Sequence, residues 1–182
     1  DHFLSKFLVM TSIVEPNNSF DYSKLSLGHP NGLQGGSYFT KLFNEKNSLY
    51  IESPKCSTKQ GIVKSGKKMY VDLKFSQDNY EFIEWLENLE TEVQELRFLK
   101  RDVWFQNSIE RDDIESSFTS LVRTYKSGKF YLLRCNIPCN HLTMSHNIKI
   151  YNENEIPCDV TDINDTTQLI SILEIVGVRF NA

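Results

Sequence analysis

The hydrophobic period of this chain changes once, sharply, and that change restricts the fold more than any other feature. From Lys67 to Phe75 the residues alternate. Met69, Val71, Leu73 and Phe75 fall on one face, and Lys68, Tyr70, Asp72 and Lys74 on the other. A period of two is that of a half-buried strand. From Phe82 onward the apolar spacing becomes four, three, four and three, through Leu86, Leu89, Val93 and Leu96. That is the stripe of an amphipathic helix. Ser76 or Asp78 stands where an N-cap is needed. Glu81, Glu84, Glu87, Glu90, Glu92 and Glu95 lie mostly off the stripe. The spacing therefore predicts an acidic helix of about six turns; with only about two heptads it reads as packed on the chain's own sheet, a partner-helix or coiled-coil role being the alternative.

The remaining elements are mainly strands. Ser37–Phe43 and Ser48–Ser53 alternate around Asn44-Glu45-Lys46-Asn47, a hairpin signal with a four-residue turn. Lys129–Ile137 reads as a strand with Phe130, Leu132 and Arg134 on one face and Tyr131, Leu133 and Cys135 on the other. Asn147–Tyr151 reads as another, closed by the polar turn Asn152–Glu155. Leu169–Phe180 reads as one long apolar strand that Gly177 bulges or bends. Phe3–Val14 reads as a strand or docking arm, Glu15–Gly36 as a loop rich in Pro, Asn, Ser and Gly, Pro54–Gly66 as a polar basic connection, and Arg101–Lys126 as a mixed connector. The order is three strands, one long helix, three strands. An OB-fold-like barrel, mainly β, with the acidic helix after the third strand fits it best; an α+β sandwich is the alternative. Residues 1–36 read as an N-terminal arm and loop, and 37–182 as the OB-fold-like domain. The strong apolar strand at the end leads us to expect a further strand or tail after it.

Charge is unevenly placed. The net charge is −4, yet Asp78 to Glu115 holds twelve acids and four bases, a local −8, which leaves +4 for the rest. Ser53 to Val71 contains no acid and five lysines: Lys55, Lys59, Lys64, Lys67 and Lys68. Ser116 to Asn152 also contains no acid, and carries Arg123, Lys126, Lys129, Arg134 and Lys149. Two basic stretches beside an acidic element point to a cationic face for an anionic partner. Tyr50 and Tyr70 flank the first stretch; Tyr125 and Tyr131 sit inside the second. Cations that neutralise phosphates, with rings that stack on bases, are what holds single strands of nucleic acid.

Other chemistries find less support. No nucleophile elbow, catalytic cysteine context or phosphate-cradling glycine loop is present, so the chain reads as non-enzymatic and without a cofactor. Cys135, Cys139, His141 and His146 are of zinc-binding types, but their C-x3-C-x-H-x4-H spacing matches no usual finger or ribbon. No metal is expected. Cys135 and Cys139, with Cys56 and Cys158 the four cysteines of the chain, read as reduced thiols of an intracellular protein. No segment is long and apolar enough for a membrane helix.

The stretch Leu49-Tyr50-Ile51-Glu52-Ser53-Pro54-Lys55, then Gly66-Lys67-Lys68-Met69-Tyr70-Val71-Asp72-Leu73-Lys74-Phe75 and an acidic helix, resembles the single-stranded DNA-binding proteins of autographivirus-type phages. It is more similar still to their counterparts in nucleocytoplasmic large DNA viruses. Phe118–Tyr125, Gly128–Leu132, Ile150–Ile156 and Leu169–Ile175 follow the family's order of strands and turns, so the resemblance spans Ser37 to Phe180. It implies an OB-fold, sequence-tolerant binding of single-stranded DNA in viral replication, recombination or repair, and a homodimer. It also implies an acidic C-terminal tail that contacts DNA polymerase and helicase-primase. Where the phage proteins carry late-strand aromatics, this chain has Val176, Gly177 and Val178, with Phe180 the nearest ring.

The expected DNA-binding residues are Lys55, Lys59, Lys64, Lys67, Lys68, Tyr70, Arg123, Tyr125, Lys126, Lys129, Tyr131 and Arg134, with the two basic stretches as opposite walls of a groove. The expected location is the viral replication site in the host cytoplasm or nucleus. The alternative is a virion structural protein, minor capsid or scaffold, that uses the same β domain for protein contacts.

Overall fold

Strand Lys68–Ser76 carries out the alternation read from the sequence. Met69, Leu73 and Phe75 are buried, whereas Lys68 is exposed and Tyr70 and Lys74 are half-buried; burial departs from the alternation only at the middle, where Val71 is half-buried and Asp72 buried. The structure, a computed structural model, describes residues 13–105 and 107–181. In chain order its strands are β1 (Ile13–Val14), β2 (Leu25–Leu27), β3 (Asn31–Gly32), β4 (Ser37–Asn44), β5 (Asn47–Glu52), β6 (Ser57–Ser65), β7 (Lys68–Ser76), β8 (Val122–Tyr125), β9 (Phe130–Asn136), β10 (Ile150–Tyr151), β11 (Pro157–Cys158), β12 (Ile172–Ile175) and β13 (Gly177–Asn181). The helices are α1 (Tyr80–Leu99), α2 (Arg101–Trp104) and α3 (Arg111–Ser117). The chain is mainly β, as expected, and α1 is the long acidic helix. Ser76 caps the 3-10 turn Gln77–Asn79 that leads into α1: its Oγ accepts a hydrogen bond from the Asp78 amide at 3.3 Å.

The described chain divides into two compact units, each built from separated stretches of sequence. One comprises residues up to Ser53, Glu84–Ser120 and the segment from Ile172. Its seven-stranded sheet runs β1-β5-β4-β13, with β12 also pairing β5, and β2 and β3 also pairing β4. The β4–β5 hairpin forms as read, tightened to a two-residue turn between the paired Asn44 and Asn47. The core here is Leu42, Leu49, Ile51, Leu86, Leu89 and Ile114. Arg97, 7% exposed, lies with its guanidinium carbon 4.9 Å from the Phe180 ring and 5.4 Å from Phe105. Phe180 is also stacked on Tyr38 and Trp104.

The other unit comprises Pro54–Ile83 and Leu121–Ser171. Its antiparallel sheet has the order β6-β7-β9-β8, and β10 and β11 form a separate pair. Met69, Leu73, Phe75, Phe82, Ile83 and Leu133 make the core, with the Phe75 and Phe82 rings 5.0 Å apart.

Several readings are corrected. Among the described residues no sheet closes into a barrel, and α1 follows the fourth strand after Ser37, not the third. The extra strand is β6, read as a polar connection. Its alternation is broken by a register shift between Thr58 and Ile62, where Gly61 adopts φ +74 and lies so close to Ile163 that a Cβ would sit 2.5 Å from its carbonyl oxygen. The connector Arg101–Lys126 contains β8, and the loop Glu15–Gly36 contains β2 and β3. In Asn147–Tyr151 only Ile150–Tyr151 is strand. Of the N-terminal strand or arm, residues 3–12 lie outside the described residues, and Ile13–Val14 pair parallel with β5. Among the described residues no helix is long and apolar enough to cross a membrane.

The strand expected over Leu169–Phe180 is two strands with a corner at Val176, β12 antiparallel to β5 and β13 antiparallel to β4. Gly177 permits the corner by its lack of a side chain. A Cβ there would lie 2.1 Å from the Thr40 carbonyl oxygen and 3.0 Å from the Lys41 Cα, and both are backbone atoms that cannot rotate away. Gly177→Ala should therefore destabilise the protein by about 1–3 kcal/mol in denaturant melts. Gly32→Ala, where a Cβ meets nothing within 4 Å, is the control and should change the midpoint little.

Candidate nucleic-acid interface

In an antiparallel sheet, residues directly opposite one another share a face, so the registers place each candidate side chain. Across β7, β9 and β8, Tyr70 faces Asn136, Asp72 faces Arg134, Lys74 faces Leu132, and Ser76 faces Phe130; Arg123 in turn faces Leu132, and Tyr125 faces Phe130. All of these lie on the side opposite Met69, Leu73 and Phe75. On β6, Val63 faces Tyr70 and Ser65 faces Lys68, which brings those residues to the same side.

This face is cationic and aromatic together. Arg134 lies 4.1 Å from the Tyr70 ring, Lys74 Nζ 5.0 Å from Phe130, and Lys129 Nζ 5.6 Å from Phe130. Lys126, in a left-handed turn (φ 51), places its Nζ 5.6 Å from Tyr125 and 6.0 Å from Phe130. Lys59 Nζ is 5.4 Å from the Tyr125 ring. That contact joins the two edge strands of the sheet, which at about 4.8 Å per strand step stand roughly 14 Å apart. The two side chains thus close over the middle strands, where Leu132 is only 3% exposed.

One acid sits in the middle. Asp72 is the sole Asp or Glu in β6, β7, β8 and β9, and it is 1% exposed. Arg134 donates to it through both Nε (2.9 Å to Oδ1) and Nη2 (3.0 Å to Oδ2). Arg123 Nη2 is 3.6 Å from Oδ1. The Arg134 hydrogen bonds, backed by the charges of Arg134, Arg123 and Lys59, hold the Asp72 carboxyl below its usual 3.8, against the opposing effect of burial. The same pairing raises the pKa of Arg134. A buried carboxylate is tolerable only when paired and hydrogen-bonded in this way.

Of the twelve residues expected to bind DNA, eight come together here: Lys59, Lys68, Tyr70, Arg123, Tyr125, Lys126, Lys129 and Arg134. Four do not. Lys55 precedes β6 and Lys67 is in the β6–β7 turn. Lys64 faces Met69 and so takes the opposite side. Tyr131 faces Phe75, also on the opposite side, and its hydroxyl is 3.3 Å from Gln77 Oε1. The two basic stretches are not facing walls; they supply the edges and centre of one sheet. Lys74 and Phe130 were missed, although the alternation of their strands had already placed them on this face. Phe180, the nearest late-strand ring, is 5% exposed within its own aromatic cluster, so it offers no stacking surface.

Among the cysteines and histidines, Cys139 and His146 pair across an isolated β-bridge. Burial pushes the Cys56 thiol up to about 12, and burial with the nearby Cys56 and Asp72 pushes Cys135 to about 12, so both stay protonated at neutral pH. Cys139 and His141 each contact the Lys67 carbonyl, and His146 Nδ1 lies 3.1 Å from the Ile148 carbonyl. Among the described residues no three His, Cys, Asp or Glu side chains come together as a metal would require. No protein-family profile, curated protein or solved structure matches this chain.

The lowered Asp72 pKa sets a pH dependence. A carboxyl with a depressed folded-state pKa contributes stability above its unfolded value, and the contribution is lost as pH falls through the folded value. Asp72→Asn should thus melt below wild type at pH 7. The gap should narrow once the pH drops below about 3.8. Thermal melts across that range check it, and a gap that stays constant would contradict the assignment.

Proposed function

We propose that this chain binds single-stranded DNA with little regard to sequence, through the cationic face of β6, β7, β9 and β8. One observation carries the reading: five strand cations, Lys59, Lys68, Lys74, Arg123 and Arg134, share a sheet face with Tyr70, Tyr125 and Phe130. Lys126 and Lys129 extend the charge into the β8–β9 turn. Phosphates would take the cations, and bases would stack on the rings the cations now cover, at about 1–3 kcal/mol per base. The unit that holds this face carries eleven Lys and Arg against eight Asp and Glu. The overall charge of −4 is therefore no obstacle.

The resemblance supports the same reading and extends it. On its ground the sheet is proposed to derive from an OB-type barrel, and the protein to act in viral replication, recombination or repair as a homodimer with polymerase and helicase-primase as partners. The replication site in the host cytoplasm or nucleus follows. A second reading, a virion structural protein, draws on Ile172 and Val176, which are exposed beside the β12–β13 corner.

Fluorescence anisotropy with labelled single-stranded and double-stranded oligonucleotides tests the proposal. If five phosphates are neutralised, log affinity for the single strand should fall with log salt at a slope of about −3.5. Lys59→Gln with Lys74→Gln should reduce that slope by about 1.4. Lys55→Gln with Lys64→Gln should leave it nearly unchanged. Equal weak binding to both oligonucleotides, or a salt-insensitive complex, would count against it.

A further inference from the structure

Arg134 differs from the other cations of the face in being held on two sides. Its Nε–Nη2 edge is engaged by the Asp72 carboxylate, and its guanidinium lies over Tyr70. The side chain is nevertheless 48% exposed. The donors of Nη1 and the second hydrogen of Nη2 are not used in the pair with Asp72, so a complete two-donor edge is left over. A planar fork of this kind matches two oxygens of a phosphodiester. Lys59, Lys74, Lys126 and Lys129, by contrast, are flexible stems leaning on rings.

We infer that Asp72 is a positioning residue that fixes Arg134 as a preset phosphate fork, so that an acid in the centre of the face strengthens its hold on a polyanion. This rests on the single-strand-binding reading above and deepens it. Two features favour positioning over repulsion. Asp72 is 1% exposed and both of its oxygens are engaged, so little of its charge is open to an incoming phosphate. The ordering of a long side chain, normally a cost of binding, has already been met in the folded protein. Arg123, 3.6 Å from the same carboxylate and 54% exposed, is drawn toward the fork and adds a second cation beside it.

The experiment separates positioning from net charge. Anisotropy titrations use a labelled oligothymidylate with wild type, Asp72→Asn, Arg134→Lys, the double variant, and Glu81→Gln as a control that removes one negative charge elsewhere in the same unit. Simple electrostatics makes Asp72→Asn bind more tightly than wild type, as Glu81→Gln should to a slight degree. The positioning account has Asp72→Asn bind about tenfold more weakly and its salt slope lose about 0.7, the share of one phosphate. Arg134→Lys keeps the charge but not the fork and should fall by a similar factor. The double variant should be no weaker than either single one, because both remove the same device. Asp72→Glu should recover part of the loss. Tighter binding by Asp72→Asn, or additive losses in the double variant, overturns the positioning role and leaves the binding reading standing. Absence of binding by wild type overturns both. Should Asp72→Asn fold poorly, Arg134→Lys, which keeps a cation beside the buried carboxylate, and Asp72→Glu, which keeps the pair, decide the matter once circular dichroism shows them folded: wild-type affinity in Arg134→Lys overturns the fork.

Discussion

A single buried carboxylate makes the cationic sheet possible. Like charges opposite one another on neighbouring strands are destabilising, and opposite charges stabilise. In the four-stranded sheet no two cations are register partners. Lys68 faces Ser65, Lys64 faces Met69, Arg123 faces Leu132, and Lys74 lies between Ser57 and Leu132. Only at the centre does an arginine meet an ionised partner, Asp72 against Arg134, with Arg123 close enough to share it. The pattern spreads positive charge over a whole face while each pairing stays neutral or attractive. Without Asp72, two guanidiniums would meet at the middle of the sheet with nothing between them.

The rings complete the arrangement. Tyr70, Tyr125 and Phe130 each carry at least one cation within 6.0 Å. Such contacts are worth about 0.5–1 kcal/mol when exposed, enough to orient long side chains and weak enough for a phosphate to outcompete. A surface of this kind exchanges internal contacts for external ones at small cost. It suits a ligand that offers phosphates and bases in repeating order and demands no chosen sequence.

Much of this was legible in the residues, and the failures have physical causes. The alternation of Lys67–Phe75 gave β7 and its two faces correctly, and the switch of period gave α1. β6 was hidden because Gly61 bulges it and breaks the alternation after Thr58. β8 was hidden because its four residues, Val-Arg-Thr-Tyr, are too few and too polar to show a period. The two units were not legible as units. The chain leaves one for the other after Ser53, Ile83, Ser120 and Ser171. The acid-free stretches begin at Ser53 and Ser116, close to two of those points, but the crossing at Ile83 falls inside α1, where the helical period runs on unbroken. Candidate site residues were chosen by their place in acid-free stretches. That criterion admits Lys64 and Tyr131, whose strand parity turns them away, and passes over Lys74, which lies beyond the first stretch but whose parity turns it in. Phe130 lies inside the second stretch and is passed over because only tyrosines are counted there as stacking rings. Face, not stretch, is what a sheet presents to a ligand.

Photo-crosslinking of a thiothymidine-containing single strand, with the attachment sites located by mass spectrometry, tests the central claim most directly. The account expects crosslinks on β7, β8 and β9, concentrated at Tyr70, Tyr125 and Phe130, and lost when salt is raised. Crosslinks confined to the seven-stranded sheet and its helices, or spread evenly over the chain, would contradict it.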